Sequence, residues 1–183
     1  MKRVLINAAL LSALLSAPAL AALSVGANAP DFTTKASLGG KEFDFSLADA
    51  LKKGPVVLYF YPAAFTKGCT AEAHEFAEAT DQFKALGATV IGVSHDDVAT
   101  LDKFSVSDCR NKFAVAADSS GVVIKQYDAA MIGHPAYADR ISYVIRPDHK
   151  VIFAYKNGDY MHHVELTLSA VKDWRATRHM HHA

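Results

Sequence analysis

Two cysteines, Cys69 and Cys109, are the residues of this 183-residue sequence best suited to redox chemistry. Cys69 lies shortly after residues 55–61, a continuous run of apolar, strand-forming residues, and directly before a stretch with helical periodicity. In an open α/β sheet, ligands bind beyond the carboxyl ends of the strands, and the N–H groups at a helix start favour a thiolate. The position therefore predicts that Cys69 is a reactive cysteine.

The residues around Cys69 have types and spacing that occur together in one family. Pro62, Thr66 and Cys69 follow the pattern Pro-x-x-x-Thr-x-x-Cys, and Arg140 opens a predicted strand later in the chain. Taken singly, each has a structural explanation: Pro62 as a strand terminator, Thr66 as a helix cap and Arg140 as a surface ion-pair residue. Taken together, they resemble the signature of the peroxiredoxins, and the resemblance extends over about residues 23–174.

Gly68 and Glu72 bring the resemblance closer to one subgroup, peroxiredoxin Q or bacterioferritin comigratory protein. The resemblance implies a thiol-dependent peroxidase in which the Cys69 thiolate attacks hydrogen peroxide or an organic hydroperoxide. It also implies electrons from a thioredoxin-like protein or a small thiol, a monomer or weak dimer, and no cofactor or metal.

Each matched residue has an implied role in the same reaction. Arg140 and N–H groups at the helix start stabilise the departing oxygen, and the cation also favours the thiolate. The Thr66 hydroxyl orients the peroxide, because it can both donate and accept. Pro62 shields the thiolate from water, and Glu72 supports Arg140 or a neighbouring backbone group.

The resemblance also bears on the second cysteine. Attack on a peroxide leaves a sulfenic acid, which condenses with any thiol within reach. Many members of the subgroup carry that thiol five residues after the attacking cysteine, where this chain has His74. By the resemblance, Cys109 is the resolving cysteine and forms an intramolecular disulfide with Cys69. Two alternatives stay open: Cys109 is a buried free cysteine and an external thiol resolves Cys69, or the disulfide is permanent.

The histidines indicate a different class of function, metal binding. The candidate ligands are His162, His163, His179, His181 and His182. Short His-rich tracts bind transition metals, so an exported copper- or zinc-binding protein of the same fold is an alternative. Side chains near a chain end offer no fixed ligand geometry, so we expect adventitious binding there. A thiol-disulfide oxidoreductase is a further alternative, although Glu72 stands where a Cys-x-x-Cys motif needs its second cysteine.

The first 21 residues have the pattern of a secretory signal peptide. Lys2 and Arg3 precede an uncharged segment, residues 4–20, and Ala19 and Ala21 form a small-x-small cleavage signal. We expect cleavage after Ala21 and export to the periplasm, with no membrane attachment afterwards; an uncleaved anchor is the alternative. Losing two of the 19 basic residues leaves 17 against 19 acidic ones, a balance that does not predict nucleic acid binding.

The remaining pattern, over residues 22–183, predicts one α/β domain. Residues 31–34 and 41–45, around Gly39 and Gly40, form a predicted hairpin. The predicted strands that follow are residues 55–61, 89–94, 113–117, 141–145 and 151–155, and the predicted helices are 70–86, 98–112, 119–127 and 164–176, with a loop over 131–139. This order predicts a thioredoxin-like, three-layer α/β/α sandwich with an N-terminal β-hairpin extension.

Overall fold

The computed structural model describes residues 22–180. The predicted signal peptide, residues 1–21, and two histidines of the tail, His181 and His182, lie outside the described residues. None of the helices within residues 22–180 combines the length and the apolar character that a membrane crossing requires.

A seven-stranded sheet forms the centre of the fold. The strands are β1 (Thr33–Leu38), β2 (Lys41–Ser46), β3 (Val56–Phe60), β4 (Thr89–Ser94), β5 (Ala114–Ala117), β6 (Ala130–Met131), β7 (His134–Ala138), β8 (Ile141–Ile145) and β9 (Val151–Lys156). The central sheet has the order β2-β1-β5-β4-β3-β8-β9, and β6 pairs with β7 separately. Strands β3, β4 and β5 run parallel, whereas the hairpin β1–β2 and the pair β8–β9 join antiparallel.

Helices cover both faces of the sheet. They are α1 (Leu47–Leu51), α2 (Lys67–Ala85), α3 (Val98–Ser107), α4 (Val122–Gln126) and α5 (His163–Met180). All five side chains of β3 are buried, and they alternate between two apolar cores. Leu58 and Phe60 pack towards α1 and α4, whereas Val57 and Tyr59 pack towards α2, α3 and α5. The arrangement confirms the predicted three-layer sandwich and its N-terminal hairpin.

Helix α2 begins three residues earlier than the sequence predicts. Thr66 has an extended backbone and is the N-cap residue, so helical geometry begins at Lys67. The prediction of a start at Thr70 was wrong because Gly68, a poor helix former, obscured the first turn. The earlier start places Cys69 inside the first helical turn.

Helix α3 ends at Ser107, whereas the sequence predicts a helix to residue 112. Arg110 and Asn111 adopt left-handed conformations, with φ of 51° and 57°, and these stop the helix. The apolar spacing nevertheless continues, because Cys109 and Phe113 both point into the core beyond the helix end. The prediction that Cys109 lies on the helix was therefore wrong.

Smaller differences concern the short elements. Helix α1 was not predicted, and α4 is shorter than the predicted 119–127, since Gly121 precedes it in a left-handed conformation. The predicted loop over residues 131–139 contains the hairpin β6–β7, whose turn includes Gly133 with φ of 81°. Most side chains of β7 are exposed and Pro135 interrupts it, so no alternating pattern marked it as a strand.

Candidate active site

Cys69 lies at the amino end of α2, close to where β3 ends. The buried strand β3 ends at Phe60, a short loop follows, and Cys69 is the third residue of the helix. Its side chain is 2% exposed. The first helical hydrogen bond is donated by the Thr70 N–H to the Thr66 carbonyl, so the preceding N–H groups, including that of Cys69, have no partner in the helix. These N–H groups and the helix dipole favour negative charge on the sulfur.

Arg140 reaches the same point from the neighbouring strand. Phe60 of β3 pairs with Ile141 of β8, so Arg140 lies beside the end of β3. The guanidinium is buried and uses all three nitrogens: Nη2 donates to Cys69 Sγ at 3.4 Å, Nη1 donates to Glu72 Oε2, and Nε donates to the Gly158 carbonyl at 3.1 Å. These three contacts hold the arginine in one orientation, in which its Nη2 atom contacts the Cys69 sulfur.

Glu72 supports this arginine. It follows Cys69 by three residues on α2, is fully buried, and accepts from Arg140. Burial raises the pKa of Glu72 to about 8, although Arg140 favours the carboxylate. The contact matches the supporting role that the family resemblance implied for Glu72.

Gly68 allows Arg140 to approach the helix closely. A Cβ atom built on Gly68 would lie 3.2 Å from Arg140 Nη2, which is tighter than ordinary van der Waals contact. A side chain at this position would force the guanidinium to shift by a few tenths of an ångström. The close approach of Arg140 therefore favours a residue without a side chain at position 68. This steric reason could not be inferred from the sequence pattern alone.

Thr66 and Pro62 lie beside this contact. Thr66 is the N-cap residue by position, but its hydroxyl caps no helical N–H; it donates to the Ala63 carbonyl at 3.0 Å. The side chain is exposed, and its oxygen keeps the ability to accept from a ligand. Pro62 is half-buried in the loop that follows β3. Their roles towards a peroxide stay predictions.

Asp96, which the sequence analysis did not single out, anchors the loop before Cys69. Its Oδ2 atom accepts from the Ala64 N–H at 2.8 Å and from the Ser94 hydroxyl at 2.7 Å. The next residue of the loop, Phe65, has φ of 64°, a strained conformation for a bulky side chain, and packs edge-on against Phe104. A carboxylate just beyond β4, at the ligand-binding edge of the sheet, was the signal that could have identified Asp96.

Cys109 is the other cysteine of the described residues, and both thiols are free. It is fully buried just beyond α3, in the same apolar core as Cys69, and burial raises its pKa well above the ordinary thiol value. Three contacts between acidic side chains and His, Arg or Lys side chains join the surrounding segment to α2, the helix that carries Cys69. They are His74–Asp108 at 3.6 Å, Glu78–Arg110 at 3.1 Å and Asp81–Lys112 at 3.2 Å. A disulfide between Cys69 and Cys109 would consume the reduced thiol that contacts Arg140.

The candidate metal ligands His162 and His163 do not form a ligand cluster. His162 contacts Glu165, whereas His163 is buried with both ring nitrogens bonded to protein oxygens. Among residues 22–178, whose side chains the structure describes, no group of three or more His, Cys, Asp or Glu side chains is arranged to hold a metal ion; His179 lies outside that range. The geometry therefore gives the metal-binding alternative no support within the described residues.

Taken together, the contacts assemble a buried thiol, a fixed cation and unpaired N–H groups at one point. Such a site can stabilise a thiolate. The same donors can also stabilise the negative charge that develops on the leaving group when the thiolate attacks a substrate.

Comparison with known proteins is consistent with this geometry. The profile of the AhpC/TSA family matches residues 25–154. The chloroplastic peroxiredoxin Q of Triticum aestivum is 35% identical over 135 residues, which are 74% of this chain and 60% of that protein. Among solved structures, peroxidoxin BcpB from Mycobacterium tuberculosis has a TM-score of 0.73 at 29% identity, covering 81% of this chain and 96% of that one. PrxQ from Xylella fastidiosa has a TM-score of 0.74 at 26% identity, covering 84% and 98%.

The chain thus spans about three fifths of the length of the plant relatives that it matches. The matched residues include β3, the start of α2 and β8, which together build the site around Cys69. The family profile covers most of the chain, and the solved structures share its fold. The chain belongs to the AhpC/TSA family, and its relatives include proteins named peroxiredoxin Q.

Proposed function

We propose that the protein is a thiol-dependent peroxidase that reduces hydrogen peroxide and organic hydroperoxides with Cys69 as the attacking thiolate. The single observation that carries the proposal is the contact between Arg140 Nη2 and Cys69 Sγ, 3.4 Å long and buried at a helix start. A buried permanent cation favours the thiolate and also places a donor beside the atoms with which the sulfur reacts.

The reaction follows from this arrangement. The Cys69 sulfur attacks one peroxide oxygen, an S–O bond forms, and the O–O bond breaks. The electron pair of that bond leaves with the second oxygen, which takes a proton and departs as water or an alcohol. Arg140 and the free N–H groups at the start of α2 stabilise the charge on the departing oxygen. In this proposal the Thr66 hydroxyl oxygen accepts from the peroxide and orients it, and Pro62 limits access of water to the thiolate.

Cys109 is proposed to resolve the resulting sulfenic acid. Its sulfur attacks the Cys69 sulfur, water leaves, and a disulfide forms that a thioredoxin-like protein or a small thiol then reduces. A thiol that is fully buried, with a raised pKa, is a poor nucleophile where it stands. The segment after α3 must therefore open before the disulfide forms. The left-handed residues Arg110 and Asn111 lower the cost of opening, since strained backbone is released.

The test is peroxide consumption by the mature chain with dithiothreitol as the reductant. Wild type should turn over, Cys69→Ser should not, and Cys109→Ser should still react once with peroxide without forming an intramolecular bridge. Disulfide mapping by mass spectrometry should find Cys69 joined to Cys109 after peroxide treatment of the wild type. Equal turnover by wild type and Cys69→Ser would refute the proposal, and turnover without a bridge would refute the role of Cys109 alone.

Export to the periplasm is proposed as well, from the sequence pattern of residues 1–21 alone. An oxidising compartment suits a protein whose cycle passes through a disulfide, provided that a thiol reductant is present. Amino-terminal sequencing of the protein recovered from cell fractions tests this. The proposal requires a mature chain that begins at Ala22, and a cytoplasmic protein that begins at Met1 would contradict it.

A further inference from the structure

His163 is a buried titratable residue that the proposed reaction leaves without a role. It begins α5 and has no exposed surface. Its Nε2 atom lies 3.2 Å from the Asn157 carbonyl oxygen, and its Nδ1 atom lies 2.8 Å from Ser142 Oγ. Because a carbonyl only accepts, Nε2 carries the proton, and Nδ1 accepts from the Ser142 hydroxyl. The imidazole is neutral, and burial lowers its pKa to about 4.

One route connects His163 to Arg140 through two consecutive backbone carbonyls. His163 donates to the Asn157 carbonyl, and Arg140 Nε donates to the Gly158 carbonyl at 3.1 Å. The Asn157 N–H in turn donates to the Arg140 carbonyl at 3.2 Å. The loop that aims the guanidinium is therefore fixed to α5 by the imidazole.

A second route connects them through Glu72. His163 Nδ1 lies 3.8 Å from Glu72 Oε1, and the other carboxylate oxygen accepts from Arg140. Oε1 has no hydrogen bond within the described residues, and both side chains are fully buried. The imidazole thus packs beside Oε1 without a hydrogen bond to it. Ser142, which orients the ring, lies in β8, two residues after Arg140.

We propose that His163 is a positioning residue, which holds the Arg140 guanidinium on the Cys69 sulfur through the Gly158 carbonyl and through Glu72. The inference rests on the proposed function, because the position of Arg140 matters only for a reaction at Cys69. The first route acts by hydrogen bonds on the loop that binds Nε, and the second acts only by packing of the imidazole beside the carboxyl group that binds Nη1.

The test compares two substitutions of His163 in a Cys109→Ser background, where Cys69 is the single thiol. His163→Phe keeps a ring of similar size and removes both hydrogen bonds, whereas His163→Gln keeps a donor and an acceptor. Thr80→Val is the matched control: it removes a buried hydroxyl that donates to the Phe76 carbonyl, on α2 but far along the helix from Cys69. The measurements are the rate constant of Cys69 oxidation by hydrogen peroxide, the rate of Cys69 alkylation by iodoacetamide at neutral pH, and the unfolding midpoint.

His163→Phe should slow Cys69 oxidation about tenfold or more, since a misplaced catalytic group costs up to a hundredfold in rate. Alkylation should slow as well, because a displaced guanidinium no longer favours negative charge on the sulfur that it contacts. His163→Gln should recover most of both rates. Thr80→Val should lower the unfolding midpoint and change neither rate. Should His163→Phe not fold, Ser142→Ala, which removes only the bond to Nδ1, should show the same losses in smaller measure.

Folded His163→Phe that oxidises and alkylates at the parent rates would overturn the inference, and so would rates in all variants that simply follow the unfolding midpoint. Alkylation distinguishes this failure from failure of the proposed function. If Cys69 of the parent protein does not react with peroxide, the proposed function fails, yet a slower alkylation of His163→Phe would still support the positioning role.

Discussion

The Nε2 atom of His74 lies 3.6 Å from the Oδ1 atom of Asp108, the residue immediately before Cys109. His74 stands where many peroxiredoxins Q carry the resolving cysteine, so here that position contacts the segment that carries the other thiol. Glu78 and Asp81 follow on the same face of α2 and pair with Arg110 and Lys112. The three contacts fasten the buried Cys109 to the helix of Cys69.

These ion pairs should slow the release of Cys109. Exposed ion pairs contribute about 0.2–1 kcal/mol each, so removing two of them with Glu78→Gln and Asp81→Asn should speed disulfide formation by about twofold to thirtyfold. Added salt should act in the same direction on the wild type. Quenched samples separated without reductant give the rate after peroxide addition. Asp49→Asn breaks a similar pair with Lys52 far from the cysteines and should change nothing; slower bridging in the double variant would contradict the expectation.

The site was predicted unevenly from the sequence, for physical reasons. Cys69, Glu72 and Arg140 were found because a strand, a helix start and a family signature mark them. Ser142 was not found, since it is one polar residue in an apolar stretch, and His163 was found only as a candidate metal ligand. Their contact with each other arises only when α5 packs against β8. Periodicity also could not show that α3 stops at Ser107, because buried side chains continue past its last hydrogen bond.

Gly68→Ala should lower the rate of peroxide reduction without lowering the stability of the fold. Alanine favours a helix over glycine by roughly 1 kcal/mol, so the unfolding midpoint should hold or rise. The new Cβ would stand 3.2 Å from Arg140 Nη2 and displace the guanidinium from Cys69. Peroxide reduction should therefore fall about tenfold. Steady-state turnover and thermal unfolding of the same preparations check this, and full activity with a stable fold would show that the close approach is unimportant.

Arg140→Lys and Arg140→Met should both impair the reaction. Lysine keeps the charge but lacks the planar set of donors that contacts Cys69, Glu72 and Gly158 together. Losing one such donor from a charge-stabilising site costs about 10²–10³ in rate, so the methionine variant should lose at least that factor and the lysine variant somewhat less. Single-turnover oxidation by peroxide provides the rates. Retention of the wild-type rate by Arg140→Met would remove this arginine from the mechanism.

His163 should make the fold more stable as the pH rises from about 4 to 6.5. Its pKa is about 4 in the folded protein against 6.5 in the unfolded chain, so the unfolded chain binds more protons between these values. The difference corresponds to about 3 kcal/mol, lost on acidification through this window. Urea unfolding of wild type and His163→Gln across the window isolates the effect. The stability difference between them should grow with pH; a constant difference would mean that His163 titrates normally.

The proposed function requires that Cys69 take an oxygen atom from peroxide. The most direct measurement is the mass of the Cys69 peptide after reduced Cys109→Ser protein meets one equivalent of hydrogen peroxide in the presence of dimedone. A dimedone adduct should form on Cys69 in near-stoichiometric yield and far faster than on free cysteine, and it should be lost in an Arg140→Met background. A Cys69 that stays reduced, or that reacts no faster than free cysteine, would contradict the proposed function.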